Sequence, residues 1–374
     1  MFFISEHPQS CVRRTLIFTI YLFTLAWLLV GVVCINTPPA TFWPAGFIAM
    51  TLPAPLLLNL GFLFYWLFGK SVRVLIPVAV LFLAWGFYKR GFAINLFPAK
   101  ASADDKTLTV LSYNVRIFNL YEHLRVDGFE ISIEEINWVK NYPADIFCLQ
   151  EFYNEPGHNI YNSVEKIWKG NAKYAFVSKS LVNHVGGQFG LAIFSKYPIV
   201  NKGSIKFGKL TQNHAMFADL KIHEDTIRVY NFHLQSMSIE EKEIVESYSG
   251  ESQERMMRVK QLSRRLKKGF LKRSAQVDTL VAHFQACPYP VIIGCDLNDT
   301  PYSYTYDKFD GLLNNAFTKA GNGFGATYNG KLPFLRIDNQ FYSDDFKVTD
   351  FKLHTEVPYS DHFPVSATYV LKRK

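Results

Sequence analysis

The chain has 374 residues, of which 49% are hydrophobic and 19% are charged, and its formal net charge is +8. This composition is too apolar for a disordered protein, and the length exceeds that of one ordinary small domain. The charge is unevenly distributed, because residues 1–100 carry +6 and the remaining residues carry only +2. The net charge taken whole is therefore not the signature of a nucleic-acid-binding domain.

Three long apolar segments lie near the N-terminus. Residues 15–35 and 42–68 can each cross a hydrocarbon core of about 30 Å, since a helix rises about 1.5 Å per residue. The third segment, residues 72–88, is shorter, so two spans are the alternative to three. A signal peptide would have a shorter apolar core, and more membrane-length sequence follows the first segment. We predict a multi-pass cell-membrane anchor over residues 1–98, with transmembrane helices at about 15–35, 42–68 and 72–88.

Flanking basic residues bear on the orientation of this anchor. Those before and between the spans are Arg13, Arg14, Lys70 and Arg73, and those after the third span are Lys89, Arg90 and Lys100. Cytoplasmic loops carry an excess of Lys and Arg, so the first group favours a cytoplasmic N-terminus and the second argues mildly against it. With three spans, the rest of the chain is predicted to lie outside the cytoplasm.

The soluble part follows a short polar segment. Residues 99–106 (AKASADDK) are small and polar, and we interpret them as a linker to a catalytic domain over residues 107–374. Apolar, β-branched runs recur along this domain, with helical patterns between some of them. The predicted strands are 108–114, 145–151, 174–178, 189–195, 215–222, 226–234, 291–296, 335–342 and 364–371, and the predicted helices are 131–140, 160–168 and 252–285. This mixture predicts an α+β fold with helices packed outside two stacked sheets.

Polar residues stand at the ends of several of these apolar runs. Single Asn or Asp residues at strand ends are usually turn residues. Six polar clusters at the ends of rigid strands instead indicate a functional site. The clusters contain Asn114, Glu151, His233, Asp296 with Asn298, Arg336–Asp338 and Ser360–His362.

The motifs around these residues resemble a known family. In chain order they read YNVR, LQE, GLAIFSKYPI, NFHL, GCDLND, RID and SDHFPV. The ordered set resembles the exonuclease–endonuclease–phosphatase superfamily of metal-dependent phosphoesterases over about residues 105–372. The resemblance implies a four-layer α/β/β/α sandwich, in which two stacked mixed sheets are flanked by helices and the site lies at one edge. Here an all-helical transmembrane anchor precedes that domain.

The resemblance also implies a metal site. Glu151 corresponds to the ligand of Mg²⁺, with Mn²⁺ as the alternative ion, and hard oxygen donors suit both ions. Asn114 is similar to the family residue that lines the metal, helps to fix Glu151 and contacts the phosphate. Asp361 is placed like the residue near the metal or at a second metal position. One metal or two is left open.

Further residues correspond to the family's catalytic groups. Asp296 resembles the general base or water-orienting carboxylate, and Asn298 the residue that holds the nucleophile and the phosphate. Their i, i+2 spacing places both side chains on one side of an extended segment. His362 resembles the histidine at the scissile phosphate, with Asp338 as its orienting carboxylate. His233 is similar to a histidine at the phosphate in several branches, whereas abasic-site endonucleases usually carry Tyr there.

These features predict a membrane-anchored, divalent-metal-dependent phosphoesterase that hydrolyses phosphodiesters, in the manner of a nuclease, by direct attack of an activated water. Nucleic acid is one substrate class; a phospholipid headgroup or a small phosphomonoester is the alternative. A non-catalytic membrane-binding or scaffold domain is a further alternative, but such a protein would be expected to have lost Glu151, Asp296 or His362. No obligate protein partner is inferred.

One predicted helix is strongly basic. Residues 255–273 (RMMRVKQLSRRLKKGFLKR) contain nine basic residues and no acid, with apolar residues at three- and four-residue steps. A solvated helix face is the simplest interpretation. Contact with anionic lipid headgroups and contact with the phosphates of a nucleic acid are the alternatives, and the sequence leaves them open.

Overall fold

The structure, a computed structural model, describes residues 8–102, 105–121, 128–208, 213–237, 252–330, 332 and 334–372. The chain divides into a helical unit, which ends at Gly91 and also includes Tyr302–Tyr304, and a second unit formed by Phe92–Pro301 and Thr305–Lys374. The helices of the first unit are α1 (Pro8–Ile35), α2 (Pro44–Met50), α3 (Pro53–Phe68), α4 (Leu75–Leu83) and α5 (Trp85–Gly91). Part of the predicted linker, residues 103–104, lies outside the described residues.

Two stretches of the described helical unit are long and apolar enough to span a membrane, Val12–Ile35 and Pro44–Phe68. A third passes the same criterion only when Val72–Leu83 and Trp85–Gly91 are taken together, and these two pieces are bent by 67° relative to each other. The bend follows from a break between α4 and α5 at Ala84. The described unit therefore offers two spans, or three if the bent pair is one span, and the predicted three stay a prediction.

A buried amide connects three of these helices. Asn59 of α3 is fully buried, and its Oδ1 accepts a hydrogen bond of 2.9 Å from the hydroxyl of Tyr21 in α1. Its Nδ2 donates to the hydroxyl of Tyr88 in α5 at 3.1 Å. Polar groups that cannot reach water need such partners, so this cluster fixes how the helices pack.

The second unit contains two six-stranded sheets. One has the strand order β11-β12-β1-β2-β4-β3 and the other β5-β6-β7-β8-β10-β9. The strands are β1 (Thr107–Asn114), β2 (Ile146–Asn154), β3 (Tyr174–Val182), β4 (Gln188–Ser195), β5 (Ile199–Lys206), β6 (His214–Ile222), β7 (Asp225–His233), β8 (Val291–Asp296), β9 (Asn314–Asn315), β10 (Asp338–Tyr342), β11 (Phe346–Leu353) and β12 (Val365–Leu371). Each sheet is mixed: β1–β2 and β7–β8 are parallel and the other pairs antiparallel.

Helices lie on the outer face of each sheet. They are α6 (Glu130–Asn141), α7 (Ser163–Trp168), α8 (Ser252–Gln285) and α9 (Tyr304–Asp310), whereas Ala316 and Ala320 of the short α10 (Ala316–Ala320) pack into the core between the sheets. A parallel strand pair needs a crossover, and α6 and α8 lie in the β1–β2 and β7–β8 connections. On the outer side of β7, Tyr230 packs against Phe284 of α8 with ring centroids 4.6 Å apart. The predicted α/β/β/α sandwich is confirmed.

Side-chain alternation along the strands builds two apolar layers. Val110 of β1 faces the other sheet and joins a core with Ile146 and Ile292, whereas Leu111 faces outward and packs in a second cluster with Ile136 of α6. Successive residues of a strand point to opposite faces, so a strand covered on both sides is apolar throughout. This explains why the central strands are visible as continuous apolar runs in the sequence.

The two sheets are in close contact near the strand ends that carry the polar clusters. Gly294 of β8 has no space for a side chain, since a Cβ there would lie 2.7 Å from the Cβ of Cys148. Beside it, the Nε2 of Gln150 donates to the Oδ1 of Asn231 at 2.8 Å and to the Oγ of Ser112 at 3.1 Å. This buried polar layer joins the sheets directly beneath the strand ends.

Most predicted elements are confirmed, and the differences concern edges and short pieces. β8 and α8 have the predicted bounds, and the predicted break at residues 223–225 corresponds to a turn at residues 223–224 between antiparallel β6 and β7. The predicted helix 160–168 begins only at Ser163, and the predicted strand 335–342 begins at Asp338. The strands β5, β9 and β11 and the short helices α9 and α10 were not predicted.

A buried ion pair in the second sheet leads to a stability prediction. Asp219 of β6 lies opposite Arg228 of β7, and the two carboxylate oxygens accept bonds of 2.6 and 2.8 Å from its guanidinium. Their side chains are 2% and 11% exposed. Asp219→Ala would leave a buried guanidinium unpaired, so we expect the free energy of unfolding to fall by about 3–5 kcal/mol.

Chemical denaturation of the detergent-solubilised chain measures this loss. The matched control is Glu165→Ala, which breaks the exposed pair between Glu165 and Lys169 in α7. We expect no measurable change in its denaturation midpoint, because exposed ion pairs contribute little. Equal effects of the two substitutions would contradict the importance of the buried pair.

Candidate active site

Strand register brings three of the predicted residues side by side. His233 ends β7 and pairs with Asp296 at the end of β8, and Asp338 at the start of β10 pairs with Asp296 from the other side. Asn114 and Glu151 come from β1 and β2 of the facing sheet. The candidate site is thus built at one edge of the sandwich from both sheets.

Asp296 is the centre of this arrangement. Its side chain is 1% exposed, and its Oδ1 accepts the backbone N–H of Asn298 at 2.8 Å. Its Oδ2 accepts from the Nδ2 of Asn114 at 3.0 Å and from the Nδ2 of Asn298 at 3.3 Å, and lies 3.4 Å from the Nε2 of His233. A carboxylate held by this many donors is fixed in position.

His362 and Asp338 form a buried pair next to Asp296. The Nδ1 of His362 lies 2.8 Å from the Oδ2 of Asp338, and its Nε2 lies 3.9 Å from the Oδ2 of Asp296. Burial by itself lowers the pKa of His362, but Asp338 and Asp296 outweigh it and raise this pKa to about 10. The bond to Asp338 orients the imidazole and directs Nε2 towards the site.

The backbone is strained where it presents Glu151 and Asn298. Glu151 has φ +48° and lies where the β2–β4 register shifts between Leu149 and Phe152, which is a β-bulge. Asn298 has φ +49°. Residues other than glycine seldom adopt such angles, and both bulges and strained backbone occur preferentially at functional sites. The bulge interrupts β2 at Glu151, three residues before the strand ends, and the Glu151 side chain there is 37% exposed.

The oxygen atoms available as ligands at this site fit a hard divalent cation. The Nδ2 of Asn114 donates both to Asp296 and, at 3.3 Å, to the Oε1 of Glu151, which brings two carboxylates together. Glu151 is open to solvent, which leaves space for the water ligands that Mg²⁺ retains. Ligand atoms of Asp296, Asp338 and His362 also lie within 4.8 Å of one another, but the Nδ1 of His362 is already bonded to Asp338.

Two predicted metal residues have additional roles here. The Oδ1 of Asn114 accepts the backbone N–H of Arg116 at 3.1 Å, so this side chain positions the carboxylates through its nitrogen. Asp361 is half exposed, and its Oδ2 lies 3.7 Å from the Nε of Arg116. Among the described residues, no hydrogen bond connects Asp361 to Glu151 or Asp296. Its role at a metal stays a prediction.

A left-handed turn follows Asn114 and supports this side of the site. Four successive residues, Arg116–Asn119, have φ between +42° and +53°. The Nδ2 of Asn119 holds the turn by donating to the Oε2 of buried Glu135 and to the carbonyl of Tyr359, each at 2.8 Å. Burial raises the pKa of Glu135 to about 8. The turn presents the half-exposed Arg116 beside Asp361, and the sequence motif YNVR gave no sign of this geometry.

Arg273 is a positioning residue that the sequence analysis missed. It is fully buried, its Nε donates to the Oδ2 of Asp299 at 2.8 Å, and its Nη1 donates to the carbonyl of Gln235 at 2.9 Å. Gln235 follows His233 by two residues and Asp299 follows Asn298 directly, so one guanidinium connects both site-bearing loops. The helical spacing contained the signal, because Arg273 lies three residues after Phe270 and four before Val277, both buried.

The hydrogen bonds of Arg273 predict that replacing this residue lowers activity, although Arg273 does not touch the substrate. We expect Arg273→Met to lower kcat by about 100-fold with little change in KM, because displacing a site by about 1 Å costs that much. Arg273→Lys should recover part of the loss, since a lysine keeps the charge but not the planar fork. The control is Lys268→Met on the exposed face of α8. An unchanged kcat in a folded Arg273→Met protein would show that the connection is not needed.

Comparisons with known proteins agree with the architecture. A family model described as Endonuclease/Exonuclease/phosphatase family matches residues 111–362, and a model described as a domain of unknown function matches residues 14–91. A comparison with curated protein sequences finds no match.

Several solved structures share the fold at low sequence identity. An endonuclease/exonuclease/phosphatase family protein of Bacteroides thetaiotaomicron matches with a TM-score of 0.54 at 17% identity, over 72% of this chain and 100% of that chain. A mannosyl-6-phosphatase of the same organism matches with a TM-score of 0.52 at 19% identity, over 71% and 100%. A protein of Beutenbergia cavernae matches with a TM-score of 0.51 at 16% identity, over 71% and 72%.

Proposed function

Because the chain belongs to the endonuclease/exonuclease/phosphatase family of phosphate-ester hydrolases, we propose that it is a membrane-anchored phosphodiesterase that depends on a divalent metal. The observation that carries this proposal is the convergence of Glu151, Asn114 and Asp296 from two sheets, with His233 beside Asp296 at 3.4 Å. Two carboxylates and flanking imidazoles at a strained strand end can activate water and stabilise charge on a phosphate.

In this proposal Asp296 accepts the proton of the attacking water. The water oxygen forms a bond to phosphorus as the ester P–O bond breaks, and the leaving oxygen takes up a proton from solvent water and departs as an alcohol. Asn298 and Asn114 hold Asp296 so that one of its oxygens faces the water. A bound Mg²⁺, or Mn²⁺ as the alternative, would be held by Glu151 and would stabilise negative charge on the phosphate oxygens.

The two histidines bind the phosphate in the same proposal. His362 is charged and oriented by Asp338, so its Nε2–H donates a charge-assisted hydrogen bond to a non-bridging oxygen. His233 approaches from the neighbouring strand, its Nε2 3.7 Å from the Oε1 of Glu151. Asp361 with Arg116 lies at the rim, where an arginine suits a second contact to a substrate phosphate.

Within this proposal nucleic acid is one substrate class, and a phospholipid headgroup or a small phosphomonoester is the alternative. The two apolar helices Val12–Ile35 and Pro44–Phe68 favour the lipid alternative, because they would keep the site close to a bilayer. The solved mannosyl-6-phosphatase with the same fold indicates that a phosphomonoester is compatible with such a site. A purely structural scaffold is disfavoured, because Glu151, Asp296 and His362 are all retained.

A metal-dependent activity screen of the full chain tests this function. The purified protein is incubated with DNA, RNA, phospholipid vesicles and sugar phosphates, with Mg²⁺, with Mn²⁺ and with a chelator. Metal-dependent cleavage of a phosphodiester supports the proposal, and release of phosphate from monoesters alone supports the alternative. Turnover that persists in chelator would contradict the metal requirement, and an inactive but metal-binding protein would favour a scaffold.

The side of the membrane and the basic helix belong to the same proposal. With three spans and a cytoplasmic N-terminus the catalytic unit lies outside the cytoplasm, and a C-terminal reporter that is fluorescent only in the cytoplasm tests this.

In the basic helix, residues 255–273, Arg273 is buried, whereas Met256 and Val259 are exposed at its other end. Its contact is proposed to be with anionic lipid; a steep loss of nucleic-acid binding with salt would instead indicate a phosphate backbone.

A further inference from the structure

An exposed aromatic patch lies on the second unit where the chain enters it. Phe97 is 94% exposed and Leu96 76%, and four more large apolar side chains of the patch are between 43% and 64% exposed. We call this set the aromatic patch; its members are Phe92, Ile94, Leu96, Phe97, Phe324 and Phe334. Single exposed apolar residues are normal, but several of them in one short segment, beside a row of exposed rings in contact, mark a surface that contacts something other than water.

The patch has a defined structure that joins two distant parts of the chain. Ala93 pairs with Gly323 through two backbone hydrogen bonds of 3.0 and 2.9 Å, and the backbone N–H of Asn95 donates to the Oδ1 of Asn322 at 2.7 Å. The rings form a row, with centroids 4.8 Å apart for Phe92 and Phe324 and 4.9 Å for Phe324 and Phe334. The outward rings are therefore held together by the fold.

The position of the patch in the chain points to a lipid surface as its occupant. Phe92 directly follows Gly91, where the last apolar helix ends with Lys89 and Arg90 in its final turn. A chain spans at most about 3.6 Å per residue, so Phe97 cannot lie more than about 22 Å from Gly91. The six large apolar side chains match the chemistry of the boundary between headgroups and acyl chains.

We propose that the aromatic patch inserts into the surface of the bilayer that the N-terminal helices anchor, so that the catalytic unit is docked on lipid. This inference rests on the membrane anchoring proposed above, and it adds a second, reversible contact to that anchor. Docking would hold the catalytic unit at one height and orientation over the membrane and thereby restrict the substrates that reach the site to those accessible from that orientation.

Nitroxide labels in the full chain, reconstituted in nanodiscs of phosphatidylcholine and phosphatidylglycerol, test the docking. Cysteines are introduced singly as Phe324→Cys and Phe334→Cys, in a chain in which Cys11 and Cys287 are replaced by alanine. The buried Cys34, Cys148 and Cys295 are retained. Power saturation compares collision with oxygen, which partitions into lipid, and with a water-soluble nickel chelate.

Two matched sites calibrate the measurement. Leu57→Cys reports on a residue that is 67% exposed on α3, and Val200→Cys on one that is 58% exposed on edge strand β5. For each label the measured quantity is the ratio of its collision rate with oxygen to its collision rate with the nickel chelate. We expect this ratio to be at least about tenfold higher for the labels at 324 and 334 than for the label at 200. Unchanged thermal unfolding midpoints show that the labelled proteins are folded.

The possible results separate this inference from the anchoring itself. If the labels at 324 and 334 behave like the label at 200 while that at 57 is in lipid, the docking is wrong and the anchor stands. If the label at 57 is also in water, the anchoring fails as well. Spectral broadening between labels of two chains at 324 or 334 would show that a second copy covers the patch, and would overturn the lipid contact.

Discussion

Replacing Asp296 with asparagine is expected to lower kcat by about 10²–10⁴-fold, the usual contribution of a general base. An asparagine keeps the shape and can still accept the backbone N–H of Asn298, but it cannot take a proton from water. It also removes the charge against which His233 and His362 are placed, at 3.4 and 3.9 Å. KM should change less, because the residues proposed to bind the phosphate remain.

The control for this variant is the same substitution at the opposite end of the same sheet. Asp225 starts β7, the strand that ends in His233, and its side chain is exposed. Asp225→Asn should retain full activity, and both variants should have the unfolding midpoint of the original chain. If Asp296→Asn retained activity in the substrate screen, Asp296 would not be the base and another group would have to activate the water.

Loss of a residue that only supports a metal ligand typically weakens metal affinity about 10–100-fold. Because Glu151 is proposed to contact the metal itself, we expect Glu151→Gln to weaken metal affinity by more than that. The substitution keeps the size of the side chain but removes the charge that a hard cation requires. It also leaves the Nδ2 of Asn114 facing a neutral amide, so the 3.3 Å hydrogen bond between these neighbouring strands of one sheet weakens. Activity should be recovered in part at high Mg²⁺ concentration.

Titration calorimetry with Mg²⁺ and Mn²⁺ measures the affinity directly, and the dependence of activity on Mg²⁺ concentration measures it independently. Glu165→Gln, on the exposed face of α7, is the matched control and should bind metal as the original chain does. Equal affinities of the Glu151→Gln protein and this control would exclude Glu151 as a ligand, whereas the prediction for Asp296 would remain.

The central strands could be predicted from the sequence because both of their faces are covered. β8 (VIIGCD) is buried at every position and was predicted with its exact ends, as α8 was from its helical periodicity. β5 (IVNKGSIK) and β11 (FKVTDFKL) were missed, since both are edge strands with exposed polar residues among the apolar ones. Such residues protect an edge from unwanted pairing and thereby hide the strand.

The site was predictable as a set of residues but not as a geometry. The motif resemblance supplied the candidates, and strand pairing brings His233, Asp296 and Asp338 together. The left-handed backbone at Glu151 and Asn298 depends on a bulge and a turn that only the folded sheets impose. The burial of Arg273 was missed because its neighbours made the helix look uniformly basic, and charge counting does not register which face a residue occupies.

The close contact of the sheets at Gly294 has a consequence for how damage to the protein would be detected. Asn114 and Glu151 belong to one sheet and Asp296 to the other, so the reaction can occur only in molecules whose sheets are stacked. A sliding or partial parting of the layers would silence the enzyme while leaving each sheet's hydrogen bonds intact. The activity that remains after heating therefore measures the fraction of molecules in which the two sheets are stacked again. A spectroscopic measurement of strand content would overestimate that fraction, because it also detects separated sheets.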